Sequence, residues 1–430
     1  MMRSLFSGVS GLRIHQTKMD VIGNNISNVN TVGFKRSTTV FMDVINQTLS
    51  GATAASDTTG KGGTNPTQVG LGSNVSAINT VMTGGSTERT DNPNDVMISG
   101  DSFFIVSDAT GYYFTRAGAF QVDDDGNLTD SNGMSVCGWN TNSDDEIVQT
   151  KVTPLNLYEG TKSYLKPTMT DSILFSGNYN AEKNPVAETT VPFYDSIGNR
   201  CVVTATSTYD PAQQQWTIKL GTTATVNGNE KNKVELEFGT DTFTLKFDKD
   251  GTLLENEAGN ELTPNTTVNF AGDAPYNSTF SENGLTLDFS CLTQFATGSN
   301  VTATNKNGYE AGSLKGFSIG GDGIITGNYT NGLSKTLGQI AVADFANPSG
   351  LEKVGSNLYS ATTNSGDFDG IGMEVGASGG SLIGGALEMS NVDLSYEFTQ
   401  MITTQRGFQA NSRIITTSDE MLQELVNLKR

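Results

Sequence analysis

Histidine and cysteine are almost missing from these 430 residues: there is one histidine, His15, and there are three cysteines, Cys137, Cys201 and Cys291. Ser-His-Asp or Cys-His catalysis would have to run through His15, which lies in a stretch of helical periodicity far in sequence from the glycine-rich and β segments. It reads as an ordinary helix histidine. No Cys-x-x-Cys or Cys/His ligand spacing exists, which argues against structural zinc. Basic residues are also short, 26 Lys and Arg against 46 Asp and Glu, for a net charge of −20. Phosphate affinity comes from clustered Lys and Arg, so neither nucleic acid nor an anionic membrane is an expected partner. No apolar run approaches the ~18 residues of a bilayer-spanning helix. The opening Met1–Ser10 carries one early charge, Arg3, and no clean cleavage site follows. The expectation is a protein that is cytoplasmic or leaves by a route that does not cut its N-terminus.

Loops that look like ligand sites fail on their details. Asp123–Asn127 and Asp248–Thr252 resemble calcium loops but lack the glutamate at the twelfth position, and flanking strand patterns make them hairpin turns. Gly320-Gly321-Asp322-Gly323 has no lysine and no strand-to-helix setting for a phosphate. No cofactor, no metal and no catalytic residue is expected.

What the chain does have is a heptad at each end. Leu5, Leu12, Met19 and Ile26 recur every seven residues, with Val9, Ile22 and Val29 beside them. Leu387, Leu394, Met401, Phe408, Ile415 and Leu422 repeat the device over the last 45 residues, and Phe398, Gln405, Ser412, Asp419 and Val426 form a mixed companion seam. Sustained heptads point to coiled-coil termini, 1–30 and 386–430, with a plain amphipathic helix as the alternative. Residues 1–40 carry a charge of +4 and residues 386–430 a charge of −2, so the ends attract weakly. The mixed seam leaves the isolated pair marginal, and the ends are expected to order mainly on assembly.

Between the ends the helical signal gives way to short β-branched and aromatic runs. Examples are Phe103–Val106, Tyr112–Thr115, Cys201–Thr206, Val234–Phe238 and Phe243–Phe247, with turns at Asp125-Gly126-Asn127, Ser196–Asn199, Asp250-Gly251 and Asn283-Gly284. The fold class is therefore multidomain and mainly β with coiled-coil termini, its discontinuous, nested middle domains sandwich- or barrel-like. The expected division is a connecting segment at 31–71, loose over 48–67; an inner β domain at 72–145 and 291–375; an outer β domain at 146–290; and a glycine-rich loose joint at 376–385.

The run Asn24-Asn25-Ile26-Ser27-Asn28-Val29-Asn30-Thr31-Val32-Gly33-Phe34-Lys35 closely resembles the N-terminal signature of the bacterial flagellar axial proteins, the rod, hook and junction components. Ser390–Leu394, Gln405–Ser412 and Asp419–Lys429 resemble the matching C-terminal signature, and Gly100–Val106 and Phe114–Phe120 the shared core of distal rod and hook members. The long middle, including Val191–Asn199, is similar to the outer domain of the hook members, whereas distal rod members are far shorter. The resemblance implies a structural subunit that polymerises with copies of itself into a curved tube, a universal joint outside the cell. A distal rod subunit with an unusual insertion is the alternative. It also implies a distal rod protein, a hook–filament junction protein, a hook cap and the flagellar type III export apparatus as partners. Leu5, Val9, Leu12, Met19, Ile26, Leu387, Leu394, Phe398, Met401, Phe408, Ile415, Leu422 and Val426 are then the expected self-assembly seam. Asn24, Asn25, Asn28, Asn30, Gly33, Phe34 and Lys35 are the expected turn out of the inner helix, with Gly33 taking an unusual backbone angle.

Overall fold

The helical spacing at the two ends becomes two long helices, Met2–Ser27 and Leu394–Asn427. The structure is a computed structural model that describes residues 2–54, 60, 62–142, 145–180, 186–236, 241–254, 265–268, 279 and 284–428. Of the expected strands and turns, Glu237, Phe238 and Asn283 lie outside the described residues, as do 55–59 and 61 of the expected loose connection. The chain divides into two units, one of Met1–Glu159, Phe317–Gly327 and Lys335–Arg430, the other of Gly160–Gly316 and Asn328–Ser334.

In the first unit an antiparallel sheet runs in the order Ser334–Ile340, Ser135–Asn140, Phe103–Ser107, Tyr112–Thr115, Leu358–Ser360, Glu352–Gly355. Phe103–Ser107 is buried almost throughout, which explains its unbroken apolar run. Phe103, Phe114, Phe345 and Tyr359 meet edge to face in the core behind it, with ring centroids 4.7–6.0 Å apart. The second unit packs two sheets around its own core. One contains Ala187–Tyr194, Arg200–Asp210 and Gln215–Val226; the other contains Ser172–Asn180 running parallel to Leu285–Phe295. Arg200–Asp210 alternates buried and exposed side chains, as a sheet with one face in a core requires. Tyr179 and Trp216 stack at 4.3 Å at its centre.

Four sequence-based assignments need correction. Leu387 does not begin the C-terminal helix: Ala386–Glu388 is a strand paired with Thr87–Arg89, and its spacing of seven from Leu394 is fortuitous. The helix begins where Asp393 accepts from the Ser395 and Tyr396 amides, a side-chain cap six residues later. The supposed loose joint at 376–385 is ordered, a 3-10 turn at Val375–Ser378 followed by the strand Ser381–Gly384 against Val96–Ser99. Nor is 31–71 a simple connector. Ser37–Asp43 pairs with Ser73–Thr80 and Asn46–Ser50 with Thr67–Gly70, forming a two-stranded ribbon rooted on the N-terminal helix, where the Ser73 amide donates to Ser10 Oγ. The expected outer-domain boundary at 290 falls inside the strand Leu285–Phe295.

Candidate functional site

The two terminal helices run antiparallel, and their register can be read from the pairs that touch. Ser4 and Ser418 hydroxyls lie 3.4 Å apart, and Lys18 Nζ donates to Gln400 Oε1 at 2.9 Å. A Cβ on Gly8 would stand 3.1 Å from Ile415, one on Gly11 2.7 Å from the Asn411 side chain, and one on Gly407 2.6 Å from the His15 ring. Met421–Leu428 extends past the start of the N-terminal helix in this register.

The fully buried positions of this pair are not those of the apolar heptad. On the first helix the buried positions are Gly8, Gly11, Ile14, Ile22 and Asn25; on the second they are Glu397, Thr404 and Ser418. Small residues let the backbones approach, and polar ones fill the seam. Among the expected seam residues, Leu5, Leu12, Met19, Ile26, Met401, Ile415 and Leu422 are half-buried, Leu387 is buried in its strand, and Val9, Leu394, Phe398, Phe408 and Val426 are exposed. Ile402, Ile414, Met421 and Leu425 are exposed beside them. Completing the burial of such side chains is worth about 1.5–3 kcal/mol each when fully transferred from water. Within the protomer the heptad positions are thus only partly covered.

His15 sits in that polar seam, over Gly407 and edge to face with Phe41 at 6.0 Å. Burial, then the neighbouring Lys18 charge, hold its pKa below the usual 6.5, and its Nδ1 has no hydrogen-bond partner. The folded state therefore prefers neutral imidazole. Its stabilisation is complete above pH 6.5 and is lost as pH falls through the lower folded value. Helix content of the termini, followed by circular dichroism, is expected to fall on mild acidification, and His15→Gln is expected to flatten that response.

The helices are rooted in a buried charged cluster. Lys35 Nζ donates to Glu388 Oε1 at 2.6 Å and to the Thr83 carbonyl at 2.8 Å, while Arg116 Nη1 lies 3.4 Å from Glu388 Oε2. Lys35 and Glu388 side chains are each 1% exposed and Arg116 is 2% exposed, so this is an interior ion triad. Burial pulls both the Lys35 and the Arg116 pKa down, and Glu388 opposes that pull at each. The Arg116 guanidinium also lies 4.9 Å over the Phe103 ring. Gly33, at φ +69°, donates its amide to the Glu388 carbonyl at 2.7 Å, and a Cβ there would meet the Ala117 nitrogen at 2.7 Å.

The signature turn wraps this root. Asn25 brackets Ser37, donating from Nδ2 to its carbonyl and accepting its amide at Oδ1. Asn28 Nδ2 donates to Asn24, and Asn28 Oδ1 accepts from Thr31. Phe34 lies under the Lys353 ammonium at 4.9 Å, and Asn30 is exposed. Asn391 answers from the C-terminal side, donating to the Val81 and Thr83 carbonyls and accepting the Arg36 amide. Sequence reasoning quoted Arg116 and Asn391 inside motifs without giving them a role, and it missed Glu388. The structure brings the turn and these three together.

Among the described residues no group of His, Cys, Asp and Glu could hold a metal ion, and no helix is long and apolar enough to cross a membrane.

Four family models match the chain: flagella basal body rod protein at residues 5–35, flagellar hook protein FlgE/F/G D1 domain at 97–157, flagellar basal body protein FlaE D2 domain at 175–309, and flagellar basal body rod FlgEFG protein C-terminal at 383–428. The flagellar hook protein FlgE of Borreliella burgdorferi is 39% identical and that of Treponema pallidum 36%, each over 100% of both chains. The flagellar basal-body rod protein FlgG of Bacillus subtilis is 31% identical over 100% of both chains.

Proposed function

Since the chain belongs to the flagellar hook protein family, we propose that it is a structural subunit of the bacterial flagellar hook, polymerising with its own copies into a curved tube that carries motor torque to the filament. The observation that carries the reading is the division of the helix pair. Small and polar side chains, with Ile14 and Ile22, are the ones buried in it within one subunit, while its apolar heptads are left half-buried or exposed. Neighbouring copies complete those stripes and supply the energy of the inner tube. The β units form the outer layers, where polar Asn- and Thr-rich surfaces meet through wet contacts that slide among near-equal arrangements. A tube so built resists twist and yields to bending.

In this reading the partners beyond its own copies are a distal rod protein, a junction protein, a cap at the growing tip and the type III export apparatus. The subunit works in the hook, outside the cell. A distal rod role is the second reading, favoured by the full-length likeness to the Bacillus subtilis rod protein. Electron microscopy of the purified, assembled chain separates the two. Curved, bendable tubes are expected; straight rigid ones would assign it to the rod.

A further inference from the structure

The polar helix seam cannot by itself recruit two helices from opposite ends of a chain. Lys35 and Glu388 are 353 residues apart in sequence, and closing so long a loop costs entropy that Gly–Asn and Ser–Ser contacts do not return. Something else must bring the helix roots together. Strand Ala386–Glu388 paired with Thr87–Arg89 belongs to the β architecture, not to the helix pair. Glu388 on that strand is bound from three sides, by Lys35 Nζ, by the Gly85 amide at 2.9 Å and by Arg116, while its carbonyl takes the Gly33 amide. From this cluster the chain is six residues from the C-terminal helix and eight from the N-terminal one.

We propose that Glu388, with Lys35 and Arg116, is a lock already closed in the unassembled subunit, holding the roots of the terminal helices side by side so that their pairing is a local zippering step during assembly. The proposal rests on the hook-subunit reading above. Its physical content is effective concentration: once rooted, the helices meet across a short span instead of a loop of most of the chain. The lock hinges on Glu388, because removing that carboxylate leaves two buried cations without their shared partner. Asp101 adds electrostatic support to both cations, and Asn391 extends the lock by tying Arg36 to the 81–83 segment. Glu388 is thus a positioning residue for assembly.

Hydrogen exchange on the full-length, unassembled chain tests this, read together with the rate of polymer extension. The Gly33 and Gly85 amides are expected to be as protected as those of Phe103–Ser107. Glu388→Gln is expected to speed exchange at both amides at least a hundredfold, leave Phe103–Ser107 unchanged and slow extension at least tenfold. Lys35→Arg, which keeps the charge, is expected to retain both properties. Should Glu388→Gln fail to fold, Lys35→Met keeps the Arg116 bridge and carries the same readouts in the same directions. Free exchange of Gly33 and Gly85 in the unaltered subunit, or extension of Glu388→Gln at the normal rate, overturns the lock. Phe408→Asp separates the two readings. It is expected to stop assembly with both amides still protected, and loss of their protection would overturn the lock. Normal assembly of Phe408→Asp would instead refute the apolar seam, leaving the lock to be judged on Glu388→Gln.

Discussion

Phe408→Asp is expected to abolish polymers at concentrations where the unaltered chain assembles, while thermal melting of the β units stays where it was. Phe408 is 36% exposed in the single subunit and touches neither the aromatic core behind Phe103–Ser107 nor the core around Trp216. Its replacement therefore has little folded-state packing to remove. In the proposed tube the same position faces neighbouring copies, and a carboxylate there would be desolvated without a partner. Loss of the ring's burial together with that penalty is expected to raise the critical concentration by roughly a hundredfold or more, about 2.8 kcal/mol. Sedimentation of polymer against subunit concentration, beside calorimetry of the soluble subunit, reads both halves. Unchanged sedimentation would show that the apolar heptad is not the assembly surface.

Gly118→Val is expected to have the opposite signature, a damaged subunit instead of a damaged contact. A Cβ at Gly118 would stand 1.7 Å from the Val96 carbonyl oxygen and 3.1 Å from the Phe104 ring, and the Gly118 carbonyl accepts the Val96 amide at 2.9 Å. Backbone cannot yield there without dragging the strand Val96–Ser99, which also pairs with Ser381–Gly384. A loss of about 3 kcal/mol or more is expected for the first unit, at the upper end for overpacking. The calorimetric transition of residues 160–316 is expected to hold its temperature while the other falls. If both transitions stay in place, the close approach at Gly118 is relieved more cheaply than this geometry allows.

These two positions mark what the sequence could and could not disclose. The terminal helices were legible because a heptad is a periodic signal, and so were the β middle and turns such as Gly126 and Gly198, both at positive φ. The seam inside the helix pair was not, because Gly8, Gly11, Thr404, Asn411 and Ser418 carry no hydrophobic periodicity. Leu387 was misread for the complementary reason: the correct spacing stood on a strand, and nothing in a periodic count registers Asp393 as the helix start. The charged root was invisible in principle, since an ion triad assembled from residues 35, 116 and 388 leaves no local pattern. Gly33 was flagged from its place in the signature turn, and its φ of +69° and its approach to Ala117 supply the reason.

The unequal length of the two helices carries a last consequence. Met421–Leu428, with Met421, Leu425, Val426 and Leu428 exposed, protrudes at one end of the bundle, while the opposite end is fastened to the β architecture. Joining such objects end on end matches a projecting apolar spike to a differently shaped receiving surface. That contact is heterologous, so it offers no two-fold axis on which a pair of molecules could close. In the proposed tube, growth of this kind is head-to-tail and open-ended, and the polymer's polarity follows from the difference between the two ends of the helix pair.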